Sequence, residues 1–418
     1  MMFIQLQLFL VPSAILAFVP ISSNNGFPPF PSAAAKLHRH QFIQFSKPKR
    51  LSSNDIDQAI LPLMELSSAH FTSQALNAFV QLDIADLLGD DKLTLEELCA
   101  LIGPNTNADA LLRTFRLLVS AGILDHAIND ADEKDVFSLS NTGALLQTQV
   151  PGQPSLASGI SHWMEAPLWD SWLCLPDYIK GTRQDENNVD PFQRANGQSS
   201  DYYYNAEHHP QSLQYANDFV RFISDGEVDS IVKSLDWSKY SGKTILDVGG
   251  YNGKLLDAIA AAEHMHSSMN IKYQCLDLPQ VIANVKQKPQ HVELIGGNIL
   301  DPSSVPPCDV ILMKHFLDRC MWTEEETIRI LQTCHGRIPQ DGHVILGEAV
   351  IPDFGQAREG KNRMQVSLDA LYMLVGRERQ RTESEWRLIT ELAGFQVEEI
   401  IHTSSASCSL IVLTKRAE

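Results

Sequence analysis

Residues 244–259 read TILDVGGYNGKLLDAI. A β-type run, Thr244–Val248, carries Asp247 near its end. It breaks at Gly249 and Gly250, and Gly253 then leads into a segment with helical spacing. Glycines here permit a tight turn and a close approach of backbone to a ligand. The start of the following helix offers N–H groups with no intrahelical partner. Alone, such a loop is either a ligand site or only a tight turn. A second stretch narrows the choice. Thirty residues after Asp247, YQCLDLPQVI (273–282) places Asp277 at the end of the next strand. A carboxylate there can accept both hydroxyls of a ribose. Together the two stretches point to a nucleoside cofactor. No Gly-Lys-Ser/Thr follows the glycines, which excludes a phosphate-binding P-loop.

Residues 236–418 alternate strand and helix. Strand candidates are Thr244–Val248, Tyr273–Leu276, Val292–Ile295, Val310–Met313, His343–Leu346 and Ser409–Leu413. This is the pattern of an α/β doubly wound, Rossmann-like sheet, whose ligand lies at the carboxyl ends of the strands.

Residues 55–150 read differently. In NADALLRTFRLLVSAGIL, Leu111, Phe115 and Leu118 recur at helical spacing, and Gly122 marks a stop. Thr94 stands three residues ahead of Glu97, a capping-box spacing. Helices followed by two short extended pieces around INDADEKD form a winged-helix pattern. Glu96 and Glu97 lie on the helix that would enter a DNA groove, which argues for a dimerisation domain over nucleic-acid binding. Residues 151–235 form a helical connector dense in aromatics, some of them candidates for a substrate pocket.

The chain has 418 residues and a net charge of −18. Such acidity disfavours nucleic acid and anionic membranes as partners. Residues 1–54 are the exception: they hold Lys36, Arg39, Lys47, Lys49 and Arg50 and no acid. An apolar run broken by Pro12 precedes a Ser-, Pro- and base-rich stretch. This reads as a presequence, a signal-peptide core followed by a transit-like segment. The expected destination is a plastid, with a mitochondrion as the alternative, and no stable membrane insertion of the mature chain. The seven cysteines form no Cys-x-x-Cys pair, so neither a disulfide framework nor a metal site is signalled.

With these stretches in order, residues 60–415 resemble the S-adenosylmethionine-dependent O-methyltransferases of the caffeate and acetylserotonin type. The matching stretches are ILDVGGYNG, LDLPQVI, VELIGGNIL, VILMKHFL, HVILGEAVIP and GRERQRTESEW. The resemblance implies S-adenosyl-L-methionine as cofactor, a homodimer, and a small-molecule acceptor. It places the methionine end of the cofactor at Gly249, Gly250 and Gly253, and the ribose at Asp277. Asn298 and Ile299 would flank adenine, and Lys314 would lie close by.

The chain departs from that pattern in several places. Tyr251 replaces the third glycine, and Asn298 replaces an aspartate. The family's catalytic histidine falls on Asp318, and the aspartate after it falls on Arg319. Glu348 and Glu378 match the two glutamates that orient the base. An ordinary exposed aspartate, with a pKa of roughly 4, is a weak base for a phenol. His315 is a substitute base only if it reaches the site, and on a strand its side chain would point away from that of Lys314. A thioether acceptor has no proton to lose. Within the family the variant resembles the algal methylthiohydroxybutyrate S-methyltransferases of dimethylsulfoniopropionate biosynthesis, on MKHFLDRCMW and DALYMLVGRERQRTESEW. That resemblance implies a thioether acid as substrate, with Arg319 or Arg377 pairing its carboxylate. The alternative is an O-methyltransferase of a small hydroxylated aromatic with His315 as relocated base. A non-catalytic cofactor-binding scaffold fits less well with Gly249, Asp277 and Lys314 in place.

Overall fold

The computed structural model describes residues 49–129, 133–181, 189–264, 270–318, 321–354, 363–377, 379–405 and 407–416. These form two compact units, divided between Ala144 and Leu145.

The first unit opens with α1 (Ser53–Gln81), started by a capping box between Ser52 and Asp55. Most of its large apolar side chains, including Ile60, Leu63, Met64 and Phe71, are exposed. Then come α2 (Ile84–Leu88), β1 (Leu93–Thr94), α3 (Leu95–Ile102), α4 (Ala108–Ser120), β2 (Leu124–Asn129), β3 (Lys134–Leu139) and α5 (Asn141–Ala144). Thr94 and Glu97 form the expected reciprocal cap on α3. Leu111, Phe115 and Leu118 are the buried face of α4. The strands pair antiparallel in the order β1-β3-β2, the wing of the winged helix.

The second unit begins with α6 (Ala157–Met164), α7 (Ala166–Leu173), α8 (Leu175–Lys180), α9 (Pro191–Asn196), α10 (Ser200–Tyr203) and α11 (Pro210–Ser234). The alternating part follows: β4 (Thr244–Val248), α12 (Lys254–His264), β5 (Lys272–Asp277), α13 (Pro279–Ala283), β6 (Val292–Gly296), β7 (Val310–Lys314), α14 (Glu324–Arg337), β8 (His343–Glu348), α15 (Arg363–Leu374), α16 (Glu383–Leu392), β9 (Phe395–His402) and β10 (Ser409–Lys415). All six expected strands are present, most of them a residue or two longer. The seventh, β9, carries no clean alternation, and its burial is irregular because it is an edge.

The sheet order is β6-β5-β4-β7-β8-β10-β9. Strands β4 to β8 run parallel, and β10 pairs antiparallel with both β8 and β9. Both sheet faces are covered. Leu246, Val248, Ile311, Met313, Val344 and Leu346 pack on one side. Ile245, Val310, Leu312, Ile345 and Leu410 pack on the other. Each such side chain contributes about 1.5–3 kcal/mol of burial. The chain runs outward from β4 to β6, then returns to place β7 beside β4. That reversal is the switch point where a doubly wound sheet holds its ligand.

Candidate active site

Five loops at the carboxyl ends of β4, β5, β6, β7 and β8 build the site. The first is Gly249–Gly253. Gly249 has φ 78°, and a Cβ there would lie 2.4 Å from Cδ2 of Phe316. A Cβ on Gly250 would lie 2.2 Å from Oδ2 of Asp247. The backbone is thus packed too closely for side chains. Tyr251 nonetheless sits in the left-handed region, at φ 54°. This is why a glycine is favoured at that position: a side chain there costs roughly 1–2 kcal/mol.

Asp277 ends β5. Its Oδ2 accepts the Tyr251 N–H at 3.0 Å, and its Oδ1 accepts the Leu278 N–H at 2.7 Å. The carboxylate is therefore fixed by the glycine loop, and each oxygen keeps a lone pair for a hydroxyl donor. Burial raises its pKa, against the two N–H bonds. Asn298 is exposed and its side-chain oxygen accepts the Leu300 N–H at 3.0 Å. Ile299 is 4% exposed and belongs to the apolar core, so it backs the turn rather than lying open.

The loop after β7 carries the start of MKHFLDRCMW. Strand β7 ends at Lys314, and His315 turns left-handed, at φ 49°. That turn corrects the expectation that the two side chains diverge. Lys314 Nζ donates to Oε2 of Glu227 at 2.8 Å, and His315 Nε2 lies 2.9 Å from Oε1 of the same carboxylate. His315 is thus engaged beside Lys314, on the α11 side. Burial would lower the Lys314 pKa, but Glu227 outweighs it and the net shift is upward.

Glu348, at the end of β8, is buried. Its Oε1 accepts the N–H groups of Phe316 at 2.9 Å and Leu317 at 2.7 Å. It grips the loop's backbone and thereby sets the place of Asp318. Burial pushes its pKa up to about 7, against His315 and the Leu317 N–H and with Asp318. Buried Arg381 donates to the Leu317 carbonyl at 2.5 Å and stacks on Trp386. Trp322 Nε1 donates to the Phe316 carbonyl at 2.7 Å. Gln380 Nε2 donates to Asp318 Oδ2 at 3.3 Å. Asp318 is half-buried in a loop clamped from several sides.

Arg377, expected to meet a substrate carboxylate, donates to Asp201 Oδ1 at 2.5 Å. Its partner there is an internal carboxylate, on α10. Arg319 and Glu378 lie outside the described residues. Two carboxylates were given no site role from the sequence. Asp247 is buried in β4, and burial pushes its pKa up to about 7, against Lys314 and with Asp277. Glu227 is fully buried on α11. Its sequence signal is positional: it stands on the buried stripe of that helix with Ala216, Val220, Ser224 and Ile231.

The profile of the O-methyltransferase domain matches residues 172–396, more than half of the chain. The chain belongs to the O-methyltransferase family. Residues 64–149 match the O-methyltransferase dimerisation domain. Similar proteins include nicotinate N-methyltransferase 1 of Glycine max, 29% identical over 83% of this chain and 94% of that protein. Another is caffeic acid 3-O-methyltransferase of Prunus dulcis, 28% identical over 81% of this chain and 90% of that protein. Among solved structures, CalO1, a methyltransferase of calicheamicin biosynthesis, superposes with a TM-score of 0.67 at 24% identity, over 88% of this chain and all of that one. That likeness concerns the fold.

This O-methyltransferase family member is an S-adenosylmethionine-dependent methyltransferase of small molecules. Its residues fit the cofactor: a glycine loop that a Cβ would fill, and a fixed strand-end carboxylate with free lone pairs. Gly249–Gly253, Asp277 and Asn298 would hold it. When bound, the cofactor supplies an electrophilic methyl group. No described helix is long and apolar enough to cross a membrane.

Proposed function

We propose that the enzyme methylates a hydroxyl group of a small aromatic acceptor. The observation that carries this reading is an aromatic cluster packed against α15. Phe192, Tyr204, Trp163 and Tyr203 pack with Leu371 and Val375, at the end of that helix. Gln380, a few residues further along the chain, donates to Asp318. The caffeic acid 3-O-methyltransferase among its relatives supports an aromatic acceptor. Glu348, whose carboxyl burial pushes up to about 7, holds the backbone that carries Asp318.

A second reading rests on one specific observation. Asp318 stands at the position of the family's catalytic histidine, and His315 is held by Glu227. A site without a free imidazole suits an acceptor that reacts through a lone pair. The thioether acid 4-methylthio-2-hydroxybutyrate, the precursor step of dimethylsulfoniopropionate, is such an acceptor. The carboxylates of Asp318 and Glu348 would then face the developing sulfonium charge. A relative named for N-methylation is consistent with an acceptor other than a hydroxyl.

The test is one assay. The purified enzyme is given labelled S-adenosylmethionine and two panels, hydroxylated aromatics and thioether acids. Turnover of the aromatics alone supports the first reading, and turnover of the thioether acids alone replaces it with the second.

Two further readings accompany this one. The exposed apolar face of α1 and the dimerisation-domain match support a homodimer, to be checked by light scattering at micromolar concentration. The acid-free stretch 1–54 supports delivery to a plastid. A fluorescent fusion of that stretch found in the cytosol, secreted, or in mitochondria would refute it.

A further inference from the structure

Glu227 of α11 is the most heavily engaged carboxylate of the site. It is 0% exposed. Oε2 takes Lys314 Nζ at 2.8 Å. Oε1 takes Ser407 Oγ at 2.6 Å and lies 2.9 Å from His315 Nε2. Three separate parts of the second unit therefore meet on one side chain: α11, the end of β7, and the loop between β9 and β10. Asp247 of β4, Glu348 of β8 and Cys408, just ahead of β10, face the same cluster. Lys314 lies within electrostatic reach of both buried carboxylates, Glu227 and Asp247. Asp247 in turn lies against the backbone of the glycine loop at Gly250.

We propose that Glu227 is a positioning residue for the cofactor, acting through Lys314 and His315. It anchors the ammonium of Lys314 beside the glycine loop. It also holds His315 in its left-handed turn, together with the His315 N–H bond to the Gly347 carbonyl at 2.8 Å. The segment Phe316–Asp318 leaves the sheet from that turn, so Glu227 fixes where the Phe316 ring meets Gly249. The same contact occupies one imidazole nitrogen and keeps it from accepting a substrate proton. Burying a carboxylate this deeply is costly without partners, and here its two oxygens meet three. Burial would raise its pKa, but His315 and Lys314 outweigh that and it stays ionised well below the usual carboxylate range. The proposal rests on the cofactor lying at the carboxyl ends of β4 and β7, and not on which acceptor is methylated.

The test uses the full chain and S-adenosylhomocysteine, so no acceptor is required. Affinity is measured by calorimetry for wild type, Glu227→Gln and Ser407→Ala, with thermal unfolding in parallel. The His315 imidazole resonances are followed by NMR at one fixed pH, assigned with His315→Asn. Glu227→Gln is expected to weaken S-adenosylhomocysteine binding by about tenfold or more. It should also shift the His315 ring resonances, because the imidazole loses its carboxylate partner. Ser407→Ala, which removes one neutral hydrogen bond, should shift both readouts in the same direction by a smaller factor. If Glu227→Gln does not fold, Ser407→Ala carries the test alone. Wild-type affinity in the folded variant, or unmoved His315 ring resonances, would overturn the proposal.

Discussion

The ring of Phe316 occupies the space that a side chain on Gly249 would need: Cδ2 and Cε2 lie 2.4 and 2.8 Å from the position of a Cβ. The loop after β7 is therefore packed on the loop after β4, and the two cannot move independently. Gly249→Ala should displace Phe316 and strain a backbone held at φ 78°. We expect a loss of about 1–3 kcal/mol in stability and at least a tenfold loss of S-adenosylhomocysteine affinity. Adding Phe316→Ala should recover part of that loss, since it removes the clash but not the backbone strain. Unfolding curves and calorimetry on the single and double variants check this.

Tyr251 gives a prediction of opposite sign. It holds φ 54°, and its N–H bond to Asp277 does not depend on its side chain. Tyr251→Gly should leave cofactor affinity within a few-fold and raise stability by up to about 1 kcal/mol. Chemical denaturation measures it. A clear destabilisation would show that the phenol ring packs more favourably than the backbone is strained.

The buried carboxyls make stability depend on pH in two directions. Asp247 and Glu348 have folded pKa values pushed up to about 7 by burial, above their ordinary values of 3.8 and 4.5. The folded state then binds more protons than the unfolded chain between about pH 4 and 7. Their contribution is present in full below the ordinary values and is lost as pH rises through about 7. Glu227 behaves oppositely: its pKa is depressed, so its contribution is present above 4.5 and lost as pH falls through the depressed value. Stability of the ligand-free protein should thus decline from about pH 5 to 7.5. Each raised group contributes a slope of at most about 1.4 kcal/mol per pH unit. Asp247→Asn and Glu348→Gln should each flatten that decline, as read from denaturation midpoints across the range.

Asp318 separates the two acceptor classes. Asp318→His places an imidazole at the position where the family has its base. For a hydroxylated aromatic, turnover should rise by about tenfold or more at pH 7, because general-base catalysis contributes 10²–10⁴-fold in favourable cases. With a thioether acid it should not rise, since no proton leaves. Single-turnover rates against pH, on both acceptors, decide between them. His315→Ala should leave the pH profile of turnover unchanged in shape while lowering cofactor affinity. A profile that changes shape would identify His315 as a base.

The parts legible in the sequence were those with local spacing. Gly249, Gly250 and Gly253 follow a strand, Asp277 ends the next one, and Leu111, Phe115 and Leu118 mark one helical face. The parts that were not legible depend on distant contacts. Glu227 meets Lys314 across 87 residues, and Arg377 meets Asp201 across 176. Period-two reasoning placed His315 opposite Lys314, and it failed because the strand stops at Lys314 and the next φ is positive. Strand β9 was missed because an edge strand with Glu398 and Glu399 at its centre lacks a buried alternation.

The last strand, β10, lies inside the sheet, between β8 and β9. The residue just before it but one, Ser407, reaches the buried Glu227. Until the ribosome has released residues up to about Lys415, β8 has an open edge and Glu227 lacks one donor. A nascent chain can therefore assemble β4 to β8 early, yet it completes the methyl-donor pocket only once β10 has been added between β8 and β9. A chain cut short ahead of β10 would leave the apolar edge of β8 unpaired and prone to aggregate.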